Sequence, residues 1–228
     1  MQAEPLRRIL STIDMKTKLY ILLAAALSFA ACSPDDATRD YGFAKVYIPQ
    51  ATVTGLDNTY PIPLGAFYQN SVYTCSYDKA SGKLSIALGV IRSGYLAEQK
   101  AFSVSLAFSQ SETDSKLDEY SGKGTPAQAL PVDMCTIPSK IEVPAGSNGG
   151  TCTIDVDMKA LALQKSSLWV TDSYKLLVLG LAISEPTEYE LAEKNTSVVI
   201  VIDLNSSHWD TVGADKPESE IRTLFPIE

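Results

Sequence analysis

The sequence predicts an all-β fold, an antiparallel β-sandwich, and three observations carry the prediction. Apolar residues recur at every second position in three runs: Leu84, Ile86, Leu88 and Val90; Phe102, Val104, Leu106 and Phe108; and Cys152, Ile154, Val156 and Met158. Such alternation is what a strand with one buried and one solvated face requires. Two further runs, 174–183 and 197–204, are apolar at almost every position, as in central strands covered on both faces. Turn chemistry separates the runs: Ser81-Gly82, Ser93-Gly94, Ser121-Gly122 and Gly146-Ser147-Asn148-Gly149-Gly150. Roughly seven or more short strands with turns at modest spacing describe a sandwich.

Taken in order, Lys45-Val46-Tyr47-Ile48-Pro49 predicts a first strand at a sheet edge, because Pro49 has no N–H for a ladder. The segment 60–67, with Pro61 and Pro63, is extended and also suited to an edge. Residues 71–77 alternate, with Tyr73, Cys75 and Tyr77 on one side. The three alternating runs and the two apolar ones follow. Helical signals are few: 115–120 and 160–164 suffice for one or two turns each.

Before the strands, Lys16 and Lys18 precede an apolar core of 13 residues, Leu19 to Ala31. A spanning helix needs about 20 residues, so length and flanks predict a signal peptide over 15–31 beginning at Met15. Residues 1–14 then form a non-native N-terminal extension. Phe29-Ala30-Ala31-Cys32 resembles a lipobox, which makes Cys32 the lipidated residue. Several acyl chains anchor far better than one. Ser33-Pro34-Asp35-Asp36 resembles the export tag of surface lipoproteins in Bacteroidetes. Residues 32–40 form an acidic tether, 41–205 the sandwich domain and 206–228 a C-terminal tail. The resemblance implies a protein lipid-anchored to the outer membrane and facing the cell exterior.

The chain of 228 residues carries 19 Lys and Arg against 27 Asp and Glu, a net charge of −8; without residues 1–31 it is −10. Such a balance excludes the basic footprint of a nucleic-acid binder and favours solubility. Besides Cys32 there are Cys75, Cys135 and Cys152, none in a C-x-x-C motif, so a zinc site is not indicated. Cys135 and Cys152 flank an expected hairpin; a disulfide and two small core hydrophobes are the alternatives.

Several segments together resemble the immunoglobulin-like domain of unknown function of Bacteroidetes surface lipoproteins. They are Val46-Tyr47-Ile48-Pro49-Gln50-Ala51, Tyr60-Pro61-Ile62-Pro63-Leu64-Gly65-Ala66, Ile141-Glu142-Val143-Pro144-Ala145-Gly146, and the apolar strands from Tyr174 and Ser197. That domain also accompanies family-18 endo-β-N-acetylglucosaminidases and glycan-binding modules. The resemblance covers about Tyr41 to Asn205 and implies an immunoglobulin-like sandwich. Leu177-Val178-Leu179 departs from the Leu-Pro-Leu-like pattern of the family, and residues 206–228 are too few for the sugar-handling module that usually follows.

No catalytic constellation emerges. His208, the one histidine, stands in a polar stretch beyond the last strand. Ser121-Gly122-Lys123-Gly124-Thr125 fails as a phosphate loop, since Leu117 and Gly124 stand where Gly and Ser or Thr are required. Asp155 and Asp157 share one strand face about 7 Å apart, but on the solvated side, where nothing raises a general acid's pKa. Aromatic side chains give the better lead, because sugars stack their C–H faces on them. Trp169, before an apolar strand, and Trp209, in the tail, are glycan-binding candidates, with Tyr68 and Tyr73 behind them. A cap on the core and an anchor for the tail are the plain structural roles for Trp169 and Trp209. Asp210-Thr211-Val212 resembles the O-glycosylation acceptor motif of these bacteria, with Thr211 as acceptor. Asn195-Thr196-Ser197 and Asn205-Ser206-Ser207 match the N-glycosylation sequon, which has little meaning in a bacterial lipoprotein.

The expectation is therefore a non-enzymatic surface lipoprotein without cofactor or metal. It recognises glycans, or assists recognition, beside an outer-membrane importer of a polysaccharide-utilisation system. The alternatives are a pilin-like adhesive subunit, suggested by Arg39 ahead of the first strand, and an immunoglobulin-like scaffold for another lipoprotein.

Overall fold

The computed structural model describes residues 44–55, 57–64, 75–94, 96, 98–211 and 220–227. In chain order the strands are β1 (Lys45–Tyr47), β2 (Thr59–Ile62), β3 (Cys75–Asp78), β4 (Lys83–Arg92) and β5 (Phe102–Phe108). Helix α1 (Gln110–Gly122) follows, then β6 (Ala127–Ala129), β7 (Cys135–Thr136), β8 (Lys140–Val143) and β9 (Gly149–Asp157). Two short helices, α2 (Met158–Ala162) and α3 (Lys165–Leu168), lead into β10 (Trp169–Val170), β11 (Ser173–Tyr174), β12 (Leu176–Ser184), β13 (Glu190–Leu191) and β14 (Ser197–Ile202). Helices α4 (His208–Thr211) and α5 (Ile221–Leu224) complete the order. No helix among the described residues is long and apolar enough to cross a membrane.

The strands form two six-stranded sheets and a small hairpin. One sheet runs β13-β1-β4-β9-β7, with β3 also on β4; the other runs β2-β14-β12-β5-β8, with β6 also on β12. The all-β sandwich is thus the fold. Its pairing is mainly antiparallel, with three parallel pairs: β1 with β13, β12 with β6 and β14 with β2. Period-two patterning selects a face but is silent about direction, so these pairs lay beyond the sequence.

The alternating residues meet between the sheets. Leu84, Ile86, Leu88, Ile154 and Val156 from one sheet, and Val104, Leu177, Leu179, Leu181 and Ile200 from the other, join a single core. Gly150 allows a close backbone approach: a Cβ there would sit 2.1 Å from the Glu142 carbonyl oxygen. Gly149 and Gly150 are therefore the start of β9, paired with Ile91 and Val90, rather than a turn.

The outer face of β12 and β14 is also covered, as their continuous apolar runs predict. Val178, Val199 and Val201 form a second cluster with Leu117 and Tyr120 of α1. The helix runs 13 residues, against the one or two turns expected over 115–120. Ser109 caps its start, its Oγ accepting the Glu112 N–H. The helix lies directly on Gly180, whose added Cβ would come within 2.6 Å of the Ser109 carbonyl oxygen. Thr113 Oγ1 accepts the Gly180 N–H at 2.9 Å, which satisfies a buried donor without a ladder partner.

Two expectations about edges divide. Strand β2 lies at the end of its sheet, where Pro61 is tolerated. Strand β1 does not: β4 pairs one side and β13 the other. Pro49 falls just past it, opening a 3₁₀ turn (Pro49–Thr52) in which a missing N–H costs nothing.

The core does not stop at Asn205. Trp209, Ile221 and Phe225 are fully buried and belong to the central cluster. The described parts of the C-terminal segment are therefore structural members of the sandwich.

Candidate functional site

Trp169 is held at one corner of the domain by a chain of local contacts. The hairpin β10–β11 turns through Thr171, at φ 56°, and pairs Trp169 with Tyr174. The two rings meet edge to face, centroids 4.6 Å apart, and Tyr174 meets Phe225 the same way at 5.5 Å. Each such pair contributes about 0.5–1.5 kcal/mol beyond area burial. Tyr174 Oη donates to the Pro226 carbonyl at 3.0 Å.

Asn205 acts as a surrogate strand beside this hairpin. Its Oδ1 accepts the Tyr174 N–H at 2.7 Å, and its Nδ2 donates to the Tyr174 carbonyl at 2.7 Å. Arg222 donates to the carbonyls of Leu204, Asn205 and Ser206. These bonds tie the returning C-terminal segment to the corner and bring Pro226 opposite Trp169. The result is a cleft of about 390 Å³ lined by Lys165, Ser166, Trp169, Tyr174 and Pro226. Pro226 also lines a neighbouring cleft of about 430 Å³ with Asn205, Ser207, Arg222 and Ile227. Both volumes fall in the range of small-molecule sites, about 300–1,000 Å³. The half-buried Trp169 ring supplies an apolar wall, and Lys165 and Ser166 supply polar groups at the rim.

A larger cleft, about 650 Å³, lies between α1, the turn before β2 and the segment before β14. Its walls include Asp57, Asn58, Glu112, Lys116, Glu119 and Glu193. Lys116 is 5% exposed and donates to Thr59 Oγ1 and Glu119 Oε2, each at 2.8 Å, and to the Asp57 carbonyl at 3.3 Å. Asn58, at φ 49°, donates to Glu112 Oε2 at 2.9 Å and to Ser197 Oγ at 3.2 Å. Hydrogen bonds from Lys116 and Lys123 hold the Glu119 carboxyl below the usual carboxylate range. Partial burial pushes Asp57 up, but hydrogen bonds from Thr54 and Thr59, with the charge of Lys116, bring it down overall.

The remaining sequence candidates take varied places. Trp209 offers no face to a sugar: it is 0% exposed, and its Nε1 donates to the Asp203 carbonyl at 2.9 Å. Its place as a glycan candidate is corrected to that of an anchor for the C-terminal segment. Cys32, Tyr68 and Tyr73 lie outside the described residues. Thr211 closes α4, and its side chain is outside the description. His208 is exposed and lines a groove with Pro61, Pro63 and Leu64 at the β2 edge.

Asp155 accepts from Ser85 Oγ at 2.6 Å and stands 3.8 Å from Lys83, while Asp157 caps α2 through the Ala160 N–H at 2.8 Å. Both carboxylates are thus engaged locally. Cys135 and Cys152 are free thiols packed against the core, as Cys75 is packed too, which settles the disulfide alternative in favour of small hydrophobes. Burial pushes the Cys135 and Cys152 thiols up to about 11. Among the described residues no group of three or more His, Cys, Asp or Glu side chains is arranged to hold a metal ion.

Sequence reasoning missed Lys165, Ser166 and Pro226. They lie in short or aperiodic segments, and only the return of the C-terminal segment brings Pro226 to the hairpin.

No known family model matches the chain, and no curated protein is similar to it. Distant structural likenesses exist. One is a multidomain protein including DUF1735 from Bacteroides ovatus: 18% identity, TM-score 0.42, covering 70% of this chain and 43% of that one. Another, a Bacteroides ovatus protein of unknown function, shows 21% identity and a TM-score of 0.45 over 71% of this chain and 45% of that one. A third is an auxiliary nutrient binding protein from Bacteroides thetaiotaomicron, at 15% identity and a TM-score of 0.40, covering 65% and 45%. The chain spans less than half the length of each. These likenesses are too distant to bear on function.

Proposed function

We propose that this chain is a lipoprotein of the bacterial outer surface, anchored through Cys32, that recognises glycans without cleaving them and serves a polysaccharide importer. The observation that carries the recognition role is the half-buried Trp169, fixed on its hairpin by Tyr174 and opening onto a cleft with polar groups at its rim. A rigid aromatic wall binds a sugar's C–H face at little entropic cost, and the rim groups orient its hydroxyls. The address rests on the sequence from Phe29 to Asp36.

The test is retention of the full chain, purified in a neutral detergent, on a panel of immobilised plant and host glycans. Trp169→Ala weakens binding at least tenfold while the thermal transition persists. A folded wild-type chain retained by no glycan sinks the recognition role. Separately, Cys32→Ser releases the protein from the membrane fraction if the anchor is as proposed.

A further inference from the structure

We infer that Asn148 is a site of self-modification: its side-chain amide deamidates, and the aspartate produced supplies the buried Arg92 with a carboxylate. Arg92 ends β4, opposite Val46 of β1 and next to the Ile91–Gly149 pair at the start of β9. It is 3% exposed, yet it takes part in none of the ion pairs among the described residues. Its guanidinium stands over the Tyr189 ring, 5.2 Å from the centroid, and Nη2 donates to Asn148 Oδ1 at 3.2 Å. Nε and Nη1 are buried and find no hydrogen-bond acceptor among the described residues. Arginine side chains do not shed their proton in proteins. A buried charge without a counter-charge is strongly destabilising.

The residue that touches this cation carries the chemistry to neutralise it. Asn148 is exposed, and Gly149 follows it with no side chain to shield its backbone nitrogen. The Gly149 N–H donates to Ser147 Oγ at 3.3 Å, just beyond the usual range for such a bond. Solvent hydroxide takes that proton, and the nitrogen attacks Asn148 Cγ. The Cγ–Nδ2 bond breaks, Nδ2 takes a proton from water and leaves as ammonia, and a cyclic imide remains. Water then adds to Cγ, the bond from Cγ to the Gly149 nitrogen breaks, and that nitrogen recovers a proton. In sum, the amide and one water become a carboxylic acid and ammonia, with no oxidant or reductant.

Arg92 favours both steps, because its charged hydrogen bond stabilises the negative charge that gathers on Oδ1. The Asn148 main-chain carbonyl receives only the uncharged Arg92 N–H, at 2.7 Å. Water is therefore directed to Cγ, and the product is aspartate rather than isoaspartate. Paired with Arg92, it fastens the loop before β9 to the end of β4.

The experiment incubates the folded full chain in neutral detergent at mildly alkaline pH. Peptide mapping by mass spectrometry follows position 148, and chromatography separates aspartate from isoaspartate. Position 148 converts, mainly to aspartate, whereas a denatured sample gives mainly isoaspartate. Arg92→Met slows the conversion several-fold and removes the preference for aspartate. Asn148→Asp, an exposed change, raises the thermal midpoint by a few degrees; it keeps the test open if Arg92→Met does not fold. Where Arg92→Met does fold, adding Asn148→Asp to it brings no such rise.

An intact Asn148 in the folded chain, after the denatured sample has converted, overturns the self-modification. Isoaspartate in excess from the folded chain overturns the part given to Arg92. A midpoint that Asn148→Asp leaves unchanged or lowers overturns the pairing.

Discussion

The cleft under α1 and the cleft beside Trp169 use charge in opposite ways. Under α1 the polar groups are turned on one another: Lys116 on Thr59 and Glu119, Asn58 on Glu112 and Ser197. Polar networks satisfied in this way rigidify a structure and leave little for a ligand. Beside Trp169 the rigidity comes from aromatic contacts and backbone hydrogen bonds, and the Lys165 ammonium at the rim is left out of it. Volume alone would favour the first cleft, about 650 Å³ against 390 Å³. What separates a structural hollow from a recognition surface is whether the groups lining it have already found partners.

The strongest way to break the comparison is to remove the support of one cleft and leave the other. Trp209→Ala deletes a fully buried indole, and core Trp→Ala changes cost about 3–5 kcal/mol. Chemical denaturation should show that loss. The corner should also loosen, visible as faster amide exchange at Tyr174, whose N–H is held by Asn205.

Gly180→Ala attacks the other cleft. Its methyl group would meet the Ser109 carbonyl oxygen at 2.6 Å and Glu112 Cβ at 2.8 Å, so α1 must shift. Overpacking of this kind costs about 1–3 kcal/mol. The expected outcome is lower stability with unchanged retention on any glycan that the Trp169 cleft binds. Loss of retention in a folded Gly180→Ala protein would mean that the two clefts are coupled.

The sandwich was largely legible because alternation reports burial directly: Leu84, Ile86, Leu88 and Val90 are all buried in β4. Continuous runs reported double coverage equally well, with Val178 and Val199 under α1. The helix itself was hidden, because its exposed face is rich in Ser, Asp and Glu and its apolar contacts reduce to Leu117 and Tyr120. The candidate site was legible in one residue. Trp169 was recognisable as an aromatic in a loop, and Trp209 looked the same from sequence; only the packing of α4 and α5 distinguishes them. Asn205 was visible as a sequon, yet its amide serves to pair with the backbone of Tyr174. Long-range pairings of this sort leave no local pattern.

Lys116→Ala sharpens the comparison with a smaller effect. It removes the ammonium that bridges Thr59, Glu119 and the Asp57 carbonyl. Hydrogen bonds to charged groups are worth about 1.5–3 kcal/mol, and Glu119 can recover water at its exposed edge, so a loss of about 2 kcal/mol is expected. Denaturant midpoints measure it. Lys165→Gln, by contrast, should leave the midpoint unchanged, since no ion pair among the described residues is lost.

The smallest expected effect is a pH dependence confined to the α1 cleft. Glu119, hydrogen-bonded by Lys116 and Lys123, titrates below its ordinary value of 4.5 in the folded protein, and Asp57 below 3.8. The unfolded chain therefore takes up protons first as the solution is acidified. The stabilisation is fully present above the ordinary carboxylate range and is lost as pH falls through the lowered folded values. Both groups are in good contact with water, which keeps the effect to a few degrees in thermal midpoint, about the scale of exposed pairs. Glu119→Gln should flatten the acid limb between about pH 5 and 3, and Lys116→Ala should flatten it further by acting on both carboxylates. Among the described residues the Trp169 cleft has no carboxylate in its walls. A neutral glycan bound there should accordingly keep its affinity across that window for as long as the domain stays folded, and a parallel fall in affinity and stability would show that the ligand sits under α1 instead.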